Sequence, residues 1–275
     1  MLLHPTAIIH PDAQLADNVE IGPHVCIEGP SIIGSGCVIQ ANAVLSGQVT
    51  MGRNNRIGYG AIIGALPQDL SFDPARPSSV IIGNDNTIRE YCTIHRATRE
   101  GAATQLGDHN FLMAGAHVAH DVQIGSHVII ANNALLGGHV QVQDRVFIGG
   151  GSVFHQFIRV GRLVIVQGNS AFSKDIPPFT VAAERNTVAG LNVIGLRRAG
   201  YSAVQRQEIK QAFKLLYQSG LNTTQALARA EAMEWNGEGR AYFEFVAAAG
   251  KRGLCDFVRR ARGKVGEFSA ERAGS

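Results

Sequence analysis

Long hydrophobic runs are missing from this chain. No stretch approaches the roughly 18 apolar residues that a membrane-spanning helix requires, so none is expected. A secretory leader is also missing, because Met1-Leu2-Leu3-His4-Pro5 has no basic region followed by an apolar segment; a cytoplasmic location is expected. Cysteine is scarce. Cys26, Cys37, Cys92 and Cys255 show no paired spacing, which argues against a disulfide framework or a cysteine metal site and for reduced packing residues. No nucleic-acid recognition motif is found either, so nucleic acid is not expected as a partner.

What is present is a repeat. Every sixth residue from Leu3 is aliphatic: Leu3, Ile9, Leu15, Ile21, Ile27, Ile33, Ile39, Leu45, Met51, Ile57 and Ile63. The series resumes at Ile82, Ile88 and Ile94, then runs from Leu106 to Phe172 with aliphatic or Phe residues at each step. A helix repeats every 3.6 residues and a strand every 2, so a period of six fits only a chain that folds back at fixed intervals. The next position is often glycine (Gly22, Gly34, Gly58, Gly125, Gly137, Gly161), and the position four on is compact (Ala7, Val25, Cys37, Ala43, Ala116, Ala134). Each hexad is a short strand plus a turn, and three hexads make an 18-residue coil. This predicts a mainly β chain, a parallel β-helix, over 1–190. Two stretches must leave the prism: about 65–79, with Pro67, Pro74 and Pro77, and about 100–105.

Beyond Ile176-Pro177-Pro178 the pattern stops. From about Tyr201 apolar spacing becomes helical, through Val204 to Tyr217, Ala226 to Met233, Phe243 to Ala248 and Leu254 to Val258, which predicts a C-terminal α-helical domain over 191–275. Residues 1–195 carry 11 Lys/Arg against 14 Asp/Glu, a net of −3, whereas residues 196–275 carry 14 against 8, a net of +6. The basic helical lobe, including Arg197, Arg198, Lys210, Lys214, Arg259 and Arg260, suits an acidic partner.

Counting by coils also gathers histidines. Adding 18 to His120 gives Gly138 and adding 36 gives Gln156, so the three should stack on one edge at about 4.8 Å per rung. His139 and His155 lie one residue off that line, and His117 just before it. His4, His10, His24 and His127 fit exposed corners instead. His117-x-x-His120 resembles metal spacing, but no clear third ligand shares its face, so no metal is expected. General acid–base chemistry fits better: a histidine followed by Asp121, which could orient the ring and stabilise the imidazolium. Gly138 could present its backbone N–H to an oxyanion, because glycine lets a substrate approach the main chain.

Several segments together carry a family resemblance: Pro67-Gln68-Asp69-Leu70, Thr93-Ile94-His95-Arg96, His117-Val118-Ala119-His120-Asp121, Ala131-Asn132-Asn133-Ala134, Gly137-Gly138-His139-Val140, His155-Gln156-Phe157, Asp175-Ile176-Pro177-Pro178 and Gly195-Leu196-Arg197-Arg198. In this order they resemble the UDP-N-acetylglucosamine O-acyltransferases that begin lipid A synthesis. The resemblance implies a left-handed β-helix, a homotrimer with sites between neighbouring prisms, and acyl transfer from acyl carrier protein to the 3-hydroxyl of a UDP-sugar with no other cofactor. It makes His120 the general base, Asp121 its orienting partner and Gly138 the oxyanion donor. Gln68 and Asp69 would contact the sugar. His117, His139, His155 and Gln156 would line the cleft, Asn192 and Arg198 would hold the nucleotide or a phosphate, and Gly168 would set acyl-chain length. The chain departs from the pattern at Ser71, where the family usually has Lys, and at Ile194, where it usually has Glu. Losing one charge-assisted hydrogen bond costs about 1.5–3 kcal/mol, so weaker acceptor binding or a changed acceptor is expected. A related acyltransferase with a different acceptor and a carrier-binding trimer without turnover are the alternatives. The family's N-acyltransferase relative has an extra N-terminal domain, whereas hexads begin here at once, which argues against that relative.

Overall fold

The computed structural model describes residues 1–258. Nearly all the hexads become two-residue strands, which pair in parallel in three sheets of 12, 9 and 8 strands, counting the elements added at the C-terminal end, one of them antiparallel. The chain visits the three sheets in turn, which gives a left-handed parallel β-helix with three faces and three edges. Register follows the coil: His117 pairs with Leu135, Leu135 with Val153, and Gln123 with Gln141. The aliphatic series points inward. Ile57, Ile94, Ile130, Leu136 and Val166 are fully buried, as are the compact Val25, Cys37, Ala116 and Ala134. The first members are less covered, because the first coil has a neighbour on one side only; Leu3 is 43% exposed. All four cysteines are free, and three of them are buried.

Most corners place one residue in the left-handed backbone region, and among the described residues eighteen that are not glycine adopt φ between +51° and +66°. Asn, Asp and His tolerate this conformation best and fill many of these places. One column of such residues is decisive for the site: Asp121, His139 and Phe157 hold the same corner in successive coils of a single edge. Inside another corner the expected apolar filling gives way to a ladder. Asn55 Oδ1 accepts from Asn86 N and Nδ2 at 2.9 Å, Asn86 Oδ1 from Asn110 N at 2.8 Å, and Asn110 Oδ1 from Val128 N at 2.8 Å. These buried amides satisfy backbone groups that the turns leave unpaired.

The excursions appear as breaks in register. An uninterrupted coil would set Ile62 beside Val80 and Thr93 beside Phe111. Instead Ile62 pairs with Thr93, and Thr93 with His117, so both coils carry inserted residues. The first excursion runs between strands Ile62–Ala65 and Ser79–Ile82. The second ends earlier than the sequence suggests: Ala103–Leu106 is already a strand paired with Ser79–Ile82, with Thr104 and Leu106 turned inward, so the loop occupies 96–102.

The prism continues through Thr180–Ala183 and an antiparallel Thr187–Leu191 before the helices begin. These are α1 (Val193–Arg198), α2 (Ala203–Tyr217), α3 (Thr223–Glu231) and α4 (Glu238–Ala247). The expected helix over 254–258 is absent. Asp256–Phe257 instead pairs in parallel with Thr187–Leu191, since buried Cys255 and the half-buried Phe257 alternate with exposed neighbours at a period of two. Arg259 and Arg260 lie outside the described residues.

Asn86→Ala strips the acceptor from the buried Asn110 N–H. It should lower unfolding free energy by about 1–3 kcal/mol in a urea titration; unchanged stability would mean that the ladder contributes nothing.

Candidate functional site

The edge that joins the sheet containing His117–Val118 to the sheet containing Gln123–Ile124 collects most of the predicted residues. His120 and Gly138 are stacked here as coil counting requires: a methyl group built on Gly138 would sit 2.4 Å from the His120 Cε1 and 2.6 Å from Nε2. Only glycine leaves room for the imidazole. The Gly138 carbonyl accepts from Phe157 N, while its own N–H has no backbone partner among the described residues. The N–H groups of His120 and Gln156, at the same corner position, are likewise without a backbone acceptor among the described residues, so that of Gly138 is distinguished by the absence of a side chain over it.

His120 Nδ1 lies 2.9 Å from Asp121 Oδ2, and His139 Nε2 lies 3.7 Å from the same oxygen. The two imidazoles meet edge to face at 5.2 Å, and His139 stacks on Phe157 at 4.4 Å. Burial works to raise the Asp121 carboxyl, but hydrogen bonds from Thr98 and His120 outweigh it and hold the group below the usual carboxylate range. Burial lowers His139, partly offset by Asp121. His120, Asp121 and His139 also form a group whose ligand atoms lie within 4.8 Å of one another. Among the described residues the group with metal-ligand spacing is this trio and not His117-x-x-His120. His117 turns to Thr93 Oγ1, 2.7 Å from its Nδ1, and burial followed by the charge of His120 lowers its pKa.

His95 is a site residue that coil counting could not find. From His95 the count leads to Met113, but the second excursion breaks the register. His95 arrives beside His117 instead, with ring centroids 4.9 Å apart. It is 6% exposed and its Nδ1 has no partner among the described residues; burial, then His117 and His120, push its pKa down to about 4. Thr98 was missed for the same reason.

Asp69 projects from the first loop within electrostatic reach of His120. Ser71, where a cation was expected, donates its N–H and hydroxyl to Asp69 Oδ1 at 2.9 and 2.8 Å, and these bonds chiefly hold the carboxylate low. Gln68 is exposed beside it. The loop is fastened at its base by Arg96, which donates to Pro74 O at 3.0 Å and lies over the Phe72 ring at 5.5 Å. His155 and Gln156 are exposed at the next rung of the histidine edge, as expected.

Three predicted residues do not join this edge within one chain. Gly168 lies at a second edge, over Gly150. Asn192 packs at the third, where it is 5% exposed; its Oδ1 caps α1 through Gly195 N at 2.9 Å and its Nδ2 donates to Leu163 O at 2.8 Å. Within one chain Asn192 therefore caps α1, while its amide keeps a second lone pair on Oδ1 and a second N–H on Nδ2. Arg198 is exposed on α1, and Ile194 there is 65% exposed.

With a pKa near 4, His95 should stay neutral from pH 5 to 8, which imidazole NMR titration would read directly. Its unfolded value is about 6.5, so its contribution to stability is fully present above that pH and is lost as pH falls toward 4; a His95 that titrates near 6.5 would contradict this.

The profile of bacterial transferase hexapeptide repeats matches residues 30–65 and 103–138, and that of UDP-N-acetylglucosamine O-acyltransferase, domain 2, matches residues 175–255. An acyl-[acyl-carrier-protein]–UDP-N-acetylglucosamine O-acyltransferase of Ralstonia nicotianae is 43% identical over 265 residues, covering 92% of this chain and 97% of that protein. Its counterpart from Syntrophobacter fumaroxidans is 40% identical, covering 92% and 99%. Among solved structures, the UDP-N-acetylglucosamine acyltransferase of Bacteroides fragilis superposes with a TM-score of 0.87 at 41% identity, covering 92% and 99%, and that of Francisella novicida with 0.88 at 30%, covering 94% and 95%. Likeness of this extent, from the first coils through the helices, makes the chain a member of the UDP-N-acetylglucosamine O-acyltransferase family.

Proposed function

We propose that this protein transfers a 3-hydroxyacyl chain from acyl carrier protein to the 3-hydroxyl of UDP-N-acetylglucosamine, the reaction that opens lipid A synthesis. The observation that carries the reading is the contact between the His120 imidazole and Gly138, with the carboxylate of Asp121 at the ring's Nδ1. With Nδ1 turned to Asp121, Nε2 is the face left for the sugar hydroxyl. His120 takes the hydroxyl proton, and the sugar oxygen bonds to the thioester carbonyl carbon. The carbonyl oxygen gains the negative charge and accepts from the Gly138 N–H. When the carbon–sulfur bond breaks, the imidazolium returns its proton to the departing sulfur, giving a 3-O-acyl sugar nucleotide and free thiol. The chain's residues suffice for this sequence, with no cofactor beyond the carrier's thioester.

The functional assembly is a homotrimer in this reading. His120, Gly168 and Asn192 occupy three different edges of one prism, with a packed core between them. A cleft that uses more than one of these edges needs a second copy of the chain. Asp69 and Gln68 would meet the sugar, His117, His139, His155 and Gln156 would line the cleft, and Arg198 would face a phosphate. Asn192 would contribute through the position of α1. Gly168 would leave room for the acyl tail. The acidic carrier would dock on the basic helical lobe. Among the described residues no helix is long and apolar enough to cross a membrane, which accords with substrates met in the cytoplasm.

The test is turnover of 3-hydroxyacyl carrier with UDP-N-acetylglucosamine. His120→Ala should reduce kcat by a factor on the order of 10²–10⁴ while carrier binding persists. Carrier binding without transfer by the unaltered protein would overturn the reading in favour of a scaffold. Gly138→Ala should be nearly as harmful with normal stability, because the new methyl displaces the imidazole; full activity would remove Gly138 from the site.

A further inference from the structure

Corners on the histidine edge take their backbone bonds from the coil before. His139 N–H donates to His120 O and Phe157 N–H to Gly138 O, each at 3.0 Å. Asp121 holds the same left-handed corner position at φ 60°, but the preceding coil is interrupted by the 96–102 loop. Its N–H goes to the Thr104 hydroxyl oxygen instead, at 2.8 Å. The carboxylate is met by Thr98, whose hydroxyl donates to Oδ2 at 2.7 Å and whose N–H donates to the same atom at 3.1 Å. Thr98 is itself held, since Arg76 of the first loop donates to its carbonyl at 3.3 Å and Gly101 N donates to Pro77 O at 2.9 Å.

One oxygen therefore has two histidine claimants, His120 at 2.9 Å and His139 at 3.7 Å. Whichever imidazole holds it keeps its proton on the bonded nitrogen and bares the other. His95, His117 and Asp69 lie in electrostatic reach of His120, and Arg99 in reach of His139. Among the described residues no bond links any of these four to Oδ2, and the donors that reach it besides the histidines are the two of Thr98.

We propose that Thr98 is a positioning residue for His120: its two donors fix Asp121 Oδ2 against His120 Nδ1 and away from His139, which keeps Nδ1 protonated and Nε2 free. The kinetic consequence rests on the acyl-transfer reading; the tautomer does not. Thr98→Val removes the hydroxyl at nearly constant shape. With ¹⁵N-histidine labelling of the full-length protein, His120 should be mainly the Nδ1–H tautomer in the unaltered protein and a mixture in Thr98→Val. The kcat should fall on the order of tenfold, with KM for both substrates within about twofold, and Thr98→Ser should restore both readouts. Adding His139→Phe to Thr98→Val should return the His120 tautomer, because the competitor is gone. An unshifted tautomer in Thr98→Val, or a Thr98→Ser variant as impaired as Thr98→Val, would overturn the proposal. A tautomer that shifts in a protein showing no acyl transfer would sink the proposed function and leave the positioning role standing.

Discussion

The structure depends on one constraint: each coil must close on itself at a fixed length so that its strands' backbone groups pair with the coils on either side. Inward aliphatic residues stacked coil on coil make any slip costly, because moving a two-residue strand by one position turns its buried side chain to solvent. Corners inherit this precision. A residue at a given corner lies one rung from its equivalent in the next coil, so side chains far apart in sequence are held by a scaffold whose core is fully buried at Ile57, Ile94, Ile130 and Val166. Sites on rigid elements keep their geometry better than sites on loops. The histidine edge uses that rigidity directly, with Asp121, His139 and Phe157 in one column and His120 with Gly138 in the neighbouring one.

Electrostatics on this edge are concentrated in a single carboxylate. Asp121 is largely buried, which disfavours its charge, yet donors from Thr98 and His120 keep it ionised. Around it the imidazoles of His95, His117 and His139 are all lowered chiefly by burial, which disfavours positive charge on these rings.

The two excursions work as one device. Arg76 reaches from the first to the Thr98 carbonyl, and Arg96 reaches back from the second to the Pro74 carbonyl, so the loop that carries Asp69 and the loop that carries Thr98 are clasped together over the histidine edge. Ser71 belongs to this arrangement. The absence of a cation at this position reads from the sequence as a lost contact, but the hydroxyl makes a local turn that holds Asp69 in place. Whether a charge is missing or replaced by preorganisation depends on where the serine points, and that is a tertiary fact.

The period of six determined the β-helix, its inward residues and the stacking of His120 on Gly138, because a closed coil converts a count of residues into a position in space. The paired prolines marked the end of the six-residue period but not of the prism, which continues through Thr180–Ala183 and Thr187–Leu191; α1 was too short to produce a period, and the strand at Asp256–Phe257 was hidden in a stretch that also fits helical spacing. Counting failed wherever residues had been inserted. His95 lies next to, and Thr98 within, an excursion that resets the register, and no periodicity states how a loop folds back. Only the tertiary structure decided that Thr98 donates to Asp121 and that Asn192 caps α1 on an edge other than that of His120. Those facts come from the packing of irregular segments, where hydrogen bonds are made between residues that no fixed spacing relates.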